Sequence, residues 1–382
     1  MSAASGKRID EEWDVIVVGA GPAGGLSALA PAQAGLRTLV LEKRPVVGLP
    51  IQCGEYLPEN EELRAMLPRA EDIDTIFEFP RSLKALECPT ITLTSPKKRS
   101  YVFDFRGFST WRNLWDQHFI ERSVKAGAVL RKRQNFLGLV NGGTAAARWR
   151  GVEVLTDDGM RRYGAKAIIG CDGPHSPVAR ALGLPKQALT PAASCDGGGK
   201  WDPTVQLFFG PIAPGGYAWI IPKCEGANVG VGYQTRFVGE GANMRQVMRK
   251  FLGFIGARES KTTGGYIPME GPRPQTASGN VMLAGDSAGH VMATNGGGIP
   301  IAMIAGWIAG QQAVRMVKNG GDASSYESEW RRQMGKELET ALKIKRMADR
   351  FAFRSDFMTE WTMRLLGRKR LERAIRCRPL FG

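Results

Sequence analysis

The sequence predicts an α/β fold: a mostly parallel sheet flanked by helices, interrupted by a mostly antiparallel β-sheet and followed by a helical C-terminal region. Three observations carry this. The apolar run Val15–Val18 leads into Gly19-x-Gly21-x-x-Gly24 and a helical pattern, and Leu36–Glu42 then reads as a second strand ending in an acid. A second strand-to-glycine passage, Val281-Met282-Leu283-Ala284-Gly285-Asp286, lies far downstream. Between them, residues 190–275 are rich in aromatics, β-branched residues and Gly/Pro turns, the composition of an antiparallel sheet.

The opening unit spans 13–44. Val15–Val18 reads as a buried parallel strand. Gly19 permits the tight turn, Gly21 lets backbone N–H groups approach a pyrophosphate, and Gly24 lets the helix pack on the strand. The helix N-terminus suits negative charge, because its first N–H groups are unpaired and the dipole is positive there. Glu42 lies eighteen residues beyond Gly24, close to the spacing of a carboxylate that bonds a ribose diol. Strand, turn, helix and acid in that order mark a dinucleotide site, with Ala23 in the first helical turn and Lys43 beside Glu42.

Residues 1–12 read as a disordered lead. Residues 44–55 hold too much Pro and Gly for regular structure. A polar helix is expected over about 59–69, a helix over Trp111–Ala126, and strands around Val129, Gly151–Thr156 and Lys166–Gly170. Ile299–Lys318 is apolar enough for a buried helix, and from Ser325 the chain reads as helices. Strand–glycine units near both ends imply a discontinuous dinucleotide-binding domain, 13–80, 106–185 and 276–320. An antiparallel-sheet substrate domain takes 81–105 and 186–275, and 321–382 is a helical basic region.

Composition narrows the function classes. The 382 residues, 43 % hydrophobic, suffice for one large or two intimate domains, with no uncharged apolar run long enough to span a membrane. The polar N-terminus lacks a signal-peptide core. Six scattered cysteines without a CxxC argue for free thiols in a reducing cytoplasm and against a metal site. Net charge is +15, and Arg331–Gly382 carries fifteen Lys/Arg against six Asp/Glu. That tail implies an anionic partner. No nucleic-acid-binding motif accompanies it.

Two further stretches identify the dinucleotide. Ile168–Ser176, centred on Asp172-Gly173, resembles the Asp-Gly motif of flavin hydroxylases. Leu283–Ala288 resembles their Gly-Asp motif, in which the acid, here Asp286 after Gly285, bonds the ribityl chain. In this order the three motifs resemble the Rossmann-like FAD-binding domain of the para-hydroxybenzoate-hydroxylase-like superfamily, so the implied cofactor is FAD. Arg112 and Asp116 resemble its Arg-x-x-x-Asp beside the flavin, although a surface pair has the same spacing. Two narrower signatures, Pro45-x-x-Gly48-x-Pro50-x-x-Cys53-Gly54-Glu55 and Tyr217-x-Trp219-x-x-Pro222-Lys223, resemble those of archaeal geranylgeranyl reductases. The resemblance covers about residues 13–318. Ala293 stands where the superfamily has a proline, which bears on the loop geometry.

The resemblance implies FAD-dependent saturation of C=C bonds in geranylgeranyl chains, carried on an isoprenoid diphosphate or a glycerophospholipid. The reductant would be NADPH or a ferredoxin. N–H groups of Gly297, Gly298 and Ile299, at the start of the apolar helix, would face the flavin pyrimidine edge. Tyr217 and Trp219 share a strand face and would line the substrate cavity with Pro222. Lys223 is read as a phosphate holder or a solvated lysine. Cys53, beside Gly54 near the cofactor, is read as a proton donor, a redox-responsive thiol or an inert buried cysteine, and Glu55 as orienting the loop. His118 and His290 read as structural, with His290 near enough to the Gly-Asp loop to approach the cofactor. Phe357, Met358, Trp361, Leu365 and Leu366 interleave with Arg364, Arg368, Lys369 and Arg370, which suits either an anionic membrane surface or packing on the FAD domain. The expected location is cytoplasmic, peripheral to the inner face of the membrane. Two rivals stand beside this reading. One is a flavin-dependent halogenase or monooxygenase, because Tyr217–Pro222 is one residue from Trp-x-Trp-x-Ile-Pro. The other is a membrane-peripheral electron-transfer flavoprotein.

Overall fold

Val15–Val18 is buried on both faces, which is why it is apolar without alternation. It ends β1 (Glu11–Val18), which is followed by α1 (Pro22–Gln33) and β2 (Thr38–Glu42). The computed structural model describes residues 8–142, 148–238, 243–258 and 260–381. Of the expected disordered lead, residues 1–7 lie outside that description. Glu11 and Glu12 are instead part of β1, because they pair with Tyr163 and Gly164.

The chain continues through β3 (Tyr56–Pro58), α2 (Asn60–Met66), α3 (Ile73–Ile76), β4 (Lys84–Thr94), β5 (Ser100–Thr110) and α4 (Arg112–Lys125). Next come β6 (Val129–Lys132), β7 (Asn135–Asn141), β8 (Trp149–Thr156), β9 (Gly159–Gly170) and α5 (Pro177–Ala181). The middle block forms β10 (Thr190–Asp196), β11 (Thr204–Phe208), β12 (Tyr217–Pro222), β13 (Ala227–Gly232), α6 (Met244–Ile255) and β14 (Thr263–Ile267). It is followed by β15 (Ala277–Ser278), β16 (Val281–Leu283), α7 (Ile299–Asn319), α8 (Ser324–Trp330), α9 (Lys336–Arg350) and α10 (Asp356–Ile375).

Two sheets result. In the first, β16, β9, β1, β2 and β6 run parallel in that order, with β15 and the β8–β7 hairpin added antiparallel. The second has the order β14-β10-β13-β12-β11-β4-β5-β3 and is antiparallel except where β11 meets β4. β5 alternates buried Tyr101, Phe103 and Phe105 with exposed neighbours, as a sheet with one solvated face requires. β3 and the end of β5, which the expected boundaries 13–80 and 106–185 place in the dinucleotide-binding domain, pair in this second sheet.

α1 lies between two helices. Gly25 sits against the Phe119 backbone of α4, 3.1 Å from where its side chain would begin. A side chain at Gly306 would overlap the Ala23 carbonyl, and one at Gly310 would lie 2.7 Å from the Ser27 carbonyl, so α7 crosses α1 at small-residue distance. That crossing brings the first turn of α7 beside the first turn of α1. The C-terminal helices are fastened to both sheets. Tyr326 bonds the Leu283 carbonyl, Trp330 bonds Thr276, and Lys345 is held by Glu270 and Asp349. α10 is broken at Gly367 (φ 63°).

Candidate active site

The turn after β1 is built by glycine. Gly19 has φ +103°, and a side chain there would overlap the Cys171 carbonyl; one at Gly24 would overlap the Gly19 carbonyl. Gly21 has no protein atom within 4 Å of its missing side chain, so the space beside it is free for a ligand. No side chain caps α1, and its first turn has no acid. Glu42 is buried and accepts hydrogen bonds from Ala20 N (2.9 Å) and Arg44 N (2.8 Å), which aims the carboxylate at the turn. Ala23 faces Gly285 across this turn. Lys43 is exposed, with Asp172 within its field.

Asp286 lies in the loop between β16 and α7. Its carboxylate has no hydrogen-bond partner among the described residues, and burial pushes its pKa up to about 6 against the pull of Arg112. An acceptor without a partner beside an open glycine turn fits the hydroxyls of an FAD ribityl chain. Asp172 is otherwise engaged: it accepts from Ser176 Oγ (2.6 Å) and Val178 N (2.9 Å) and so caps α5.

The loop before α7 corrects one expectation. The Gly297 N–H is taken by the Asn295 side chain at 2.8 Å, so of the three expected amides only those of Gly298 and Ile299 have no partner among the described residues. Asn295 was not foreseen. Its side chain also donates to the Ile375 carbonyl at 2.9 Å, and its own carbonyl accepts the Tyr217 hydroxyl. Without the superfamily proline at Ala293, the loop is closed by Met292 N to Gly297 O (3.1 Å) and Gly296 N to Met292 O (2.9 Å).

Cys53 sits in the loop between β2 and β3, which leaves the first sheet and is pinned to the second. Gln52 donates to the Gly264 carbonyl and Thr263 to the Ile51 carbonyl, each at 2.5 Å. Gly54 lets the loop approach β12, where a side chain would meet Ile221 at 2.9 Å. Glu55 is the clamp. It is buried at φ 64° and accepts from Arg112 N (3.0 Å), Lys223 Nζ (2.6 Å) and Asn228 Nδ2 (2.9 Å). Asn228 also donates to the Cys53 carbonyl and accepts the Trp219 indole N–H.

These contacts overturn two readings. Lys223 is neither solvated nor free for phosphate: its side chain is 9 % exposed, ion-paired to Glu55 and 4.4 Å above the Trp111 ring. Pro222 is buried at the same end of β12 and faces Cys88. Trp219 is 7 % exposed, packs across Gly230 and supports Asn228 through its indole N–H (2.8 Å). Tyr217 is half-buried, 6.0 Å from the Trp219 ring, and its hydroxyl reaches the Asn295–Gly296 turn.

The electrostatics follow from burial. Burial pushes the Cys53 thiol up, partly offset by the Arg112 guanidinium, so the thiol is protonated at neutral pH. Burial would lower the Arg112 pKa, but Asp116, bound through two hydrogen bonds (2.8 and 3.2 Å), and Cys53 raise it. The Arg112/Asp116 pair is thus an interior one, not a surface pair. Burial and the nearby Cys53 keep the Tyr217 phenol protonated. His290 is fully buried against Trp330, its pKa pushed down to about 3, and neither ring nitrogen has a partner among the described residues. It is therefore neutral, and is not the satisfied histidine expected.

Comparison with known proteins agrees with this geometry. Residues 14–55 match an FAD binding domain and residues 199–263 the geranylgeranyl reductase catalytic domain. The chain is 32 % identical, over 87 % of its length and 84 % of the relative's, to digeranylgeranylglycerophospholipid reductase of Methanosarcina acetivorans. It is 30 % identical to digeranylgeranylglycerophospholipid reductase 1 of Methanopyrus kandleri, over 88 % and 90 % of the two chains. The fold is similar to that of a geranylgeranyl bacteriochlorophyll reductase-like protein from Thermoplasma acidophilum (TM-score 0.81, 24 % identity, 92 % and 90 % covered). It is also similar to that of a triple mutant of the flavin-dependent brominase Bmp2 (TM-score 0.72, 16 % identity, 96 % and 95 % covered). A Rossmann-type FAD site, the catalytic-domain match and this identity over most of the chain establish that the protein is an FAD-dependent oxidoreductase of the digeranylgeranylglycerophospholipid reductase family.

Proposed function

We propose that the chain saturates C=C bonds in geranylgeranyl groups, on an isoprenoid diphosphate or a glycerophospholipid, with electrons from NADPH or a ferredoxin. The observation that carries this is the Cys53 thiol, held beside Arg112 and near Tyr217 by the Glu55–Asn228–Lys223 clamp. FAD, when bound and reduced, supplies hydride chemistry. Glu42, Asp286 and the open turn at Gly21 hold the cofactor, and the free amides of Gly298 and Ile299 favour negative charge at the start of α7. Cys53 donates the proton to the second carbon from a thiol that burial keeps protonated. Tyr217 lines the cavity wall and, through Asn295, fixes the distance between that wall and the α7 loop. The enzyme works at the inner face of the cytoplasmic membrane, where such lipids reside.

The test is direct. FAD-loaded protein under dithionite is incubated with geranylgeranyl diphosphate and with digeranylgeranylglycerophospholipid, and the products are weighed by mass spectrometry. One added hydrogen pair per double bond is expected. No mass gain with either substrate, while the flavin is bound and reduced, would sink the proposal.

A further inference from the structure

A protein that works on lipid must reach it, and α10 carries a face that the rest of the chain leaves uncovered. Thr359, Glu360 and Met363 are its inward residues. Phe357, Trp361 and Leu365, four residues apart, form one outward stripe and are 66 %, 51 % and 61 % exposed. Large aromatic side chains in a contiguous exposed row are unusual for a surface that meets only water.

The charge around this stripe is mostly positive. Arg354 precedes the helix, and Arg368 and Lys369 follow its break at Gly367; none of the three has a partner among the described residues. Of the helix's three carboxylates, Asp356 alone is exposed: Glu360 is bound to Arg364 (2.6 Å), and Glu372 to Arg376 (2.6 Å). A second segment brings further cations to the flank of the helix. The β4–β5 turn is fastened to α10 by Lys97 N donating to Glu360 (3.1 Å), which brings Lys97 and Lys98 beside it. Lys98 in turn lies 5.9 Å from the Phe254 ring, itself 45 % exposed.

We propose that this face, formed by the Phe357–Leu365 stripe and its flanking cations, docks the enzyme on an anionic bilayer. The inference deepens the lipid-substrate reading and rests on it for its biological sense, but its own physics is separate. Aromatic and leucine side chains enter the headgroup–acyl boundary, while arginine and lysine meet anionic headgroups. An anionic bilayer supplies both along the whole stripe, whereas a second copy of this cationic face would repel it. The far end of the same helix is tied to the site, because the Ile375 carbonyl accepts Asn295 Nδ2 and Cys377 contacts Thr294. A docked α10 therefore holds the α7 loop at a fixed height above the membrane.

The experiment uses the full, FAD-loaded chain without substrate or reductant, floated with vesicles of phosphatidylcholine alone or with added phosphatidylglycerol. Binding to the anionic vesicles is expected, falling with salt. Two exposed-surface variants are compared, both checked by circular dichroism and flavin absorbance. Phe357→Ser/Trp361→Ser/Leu365→Ser should lose binding at every salt concentration. Arg354→Gln/Arg368→Gln/Lys369→Gln should weaken it on the order of a hundredfold at low salt, from about 1 kcal/mol per cation. Both variants should reduce detergent-dispersed substrate like the parent. Equal flotation of parent and variants, or no anionic preference, overturns the proposal. So does self-association of the parent that the variants abolish, which would make the face a contact between copies. Flotation as expected without turnover in detergent would instead leave docking standing and remove the lipid-reductase reading.

Discussion

Replacing Lys223 by methionine removes one half of a buried ion pair and leaves the other. The Lys223 and Glu55 side chains are 9 % and 3 % exposed and 2.6 Å apart. Deleting one partner of such a pair costs about 3–5 kcal/mol, because an uncompensated charge stays behind. Here Glu55 keeps Asn228 and Arg112 N as donors, which argues for the lower half of that range. At roughly 2.1 cal/mol/K of unfolding entropy per residue, the chain's 382 residues give about 0.8 kcal/mol/K, so Lys223→Met should lower the melting midpoint by about 4–5 °C. The assay is thermal unfolding of the FAD-loaded protein, followed by circular dichroism and flavin fluorescence together. The double variant Glu55→Gln/Lys223→Met removes both charges and keeps an acceptor for Asn228, so it should recover at least half of the loss. A single variant melting within a degree of the parent, or a double variant with fully additive losses, would refute the clamp.

Other outcomes follow from the same geometry. Cys53→Ser should lower kcat on the order of a hundredfold with little change in KM, and the parent's rate should hold on the alkaline side past an ordinary thiol pKa of about 8.5; an unchanged kcat removes Cys53 from proton transfer. Gly24→Ala should abolish FAD retention together with stability, whereas Gly21→Ala should keep the apo-protein's melting midpoint and weaken FAD alone, because its new methyl meets no protein atom. Comparing the two apo-protein midpoints with flavin titrations separates these cases. Asp286 has its folded pKa raised to about 6, so the folded apo-protein binds the extra proton below that value. Its contribution is therefore present at low pH and lost as pH rises from about 4 to 6, and Asp286→Asn should flatten that part of the midpoint-against-pH curve.

The legible features were those whose chemistry is local. Gly19 and Gly24 must be glycine because carbonyls lie where their side chains would be, so the turn is written in a few residues. Asp286 and the Cys53 loop are legible through the resemblance of their short motifs to those of a known family. The Glu55–Lys223–Asn228 clamp was not, because Lys223 is 168 residues from Glu55 and nothing in either stretch marks the pairing. Trp219 is placed correctly on a strand beside Tyr217, because alternation gives a face; its bond to Asn228, nine residues on, is not marked in the sequence. Asn295 carries no motif of its own; its role arises only where α7, β12 and the end of α10 meet. The grouping of β3 with the second sheet was hidden by its length of three residues, too short for a period to show.

The most direct measurement is anaerobic. Holo-protein reduced by one equivalent of dithionite is mixed with a geranylgeranyl lipid, and flavin absorbance and lipid mass are followed together. Return of the oxidised flavin spectrum without oxygen, with one double bond saturated per flavin reoxidised, is the expected result. A flavin that stays reduced until oxygen is admitted, with the lipid unchanged, would contradict it and point to oxygen-dependent chemistry on the same fold.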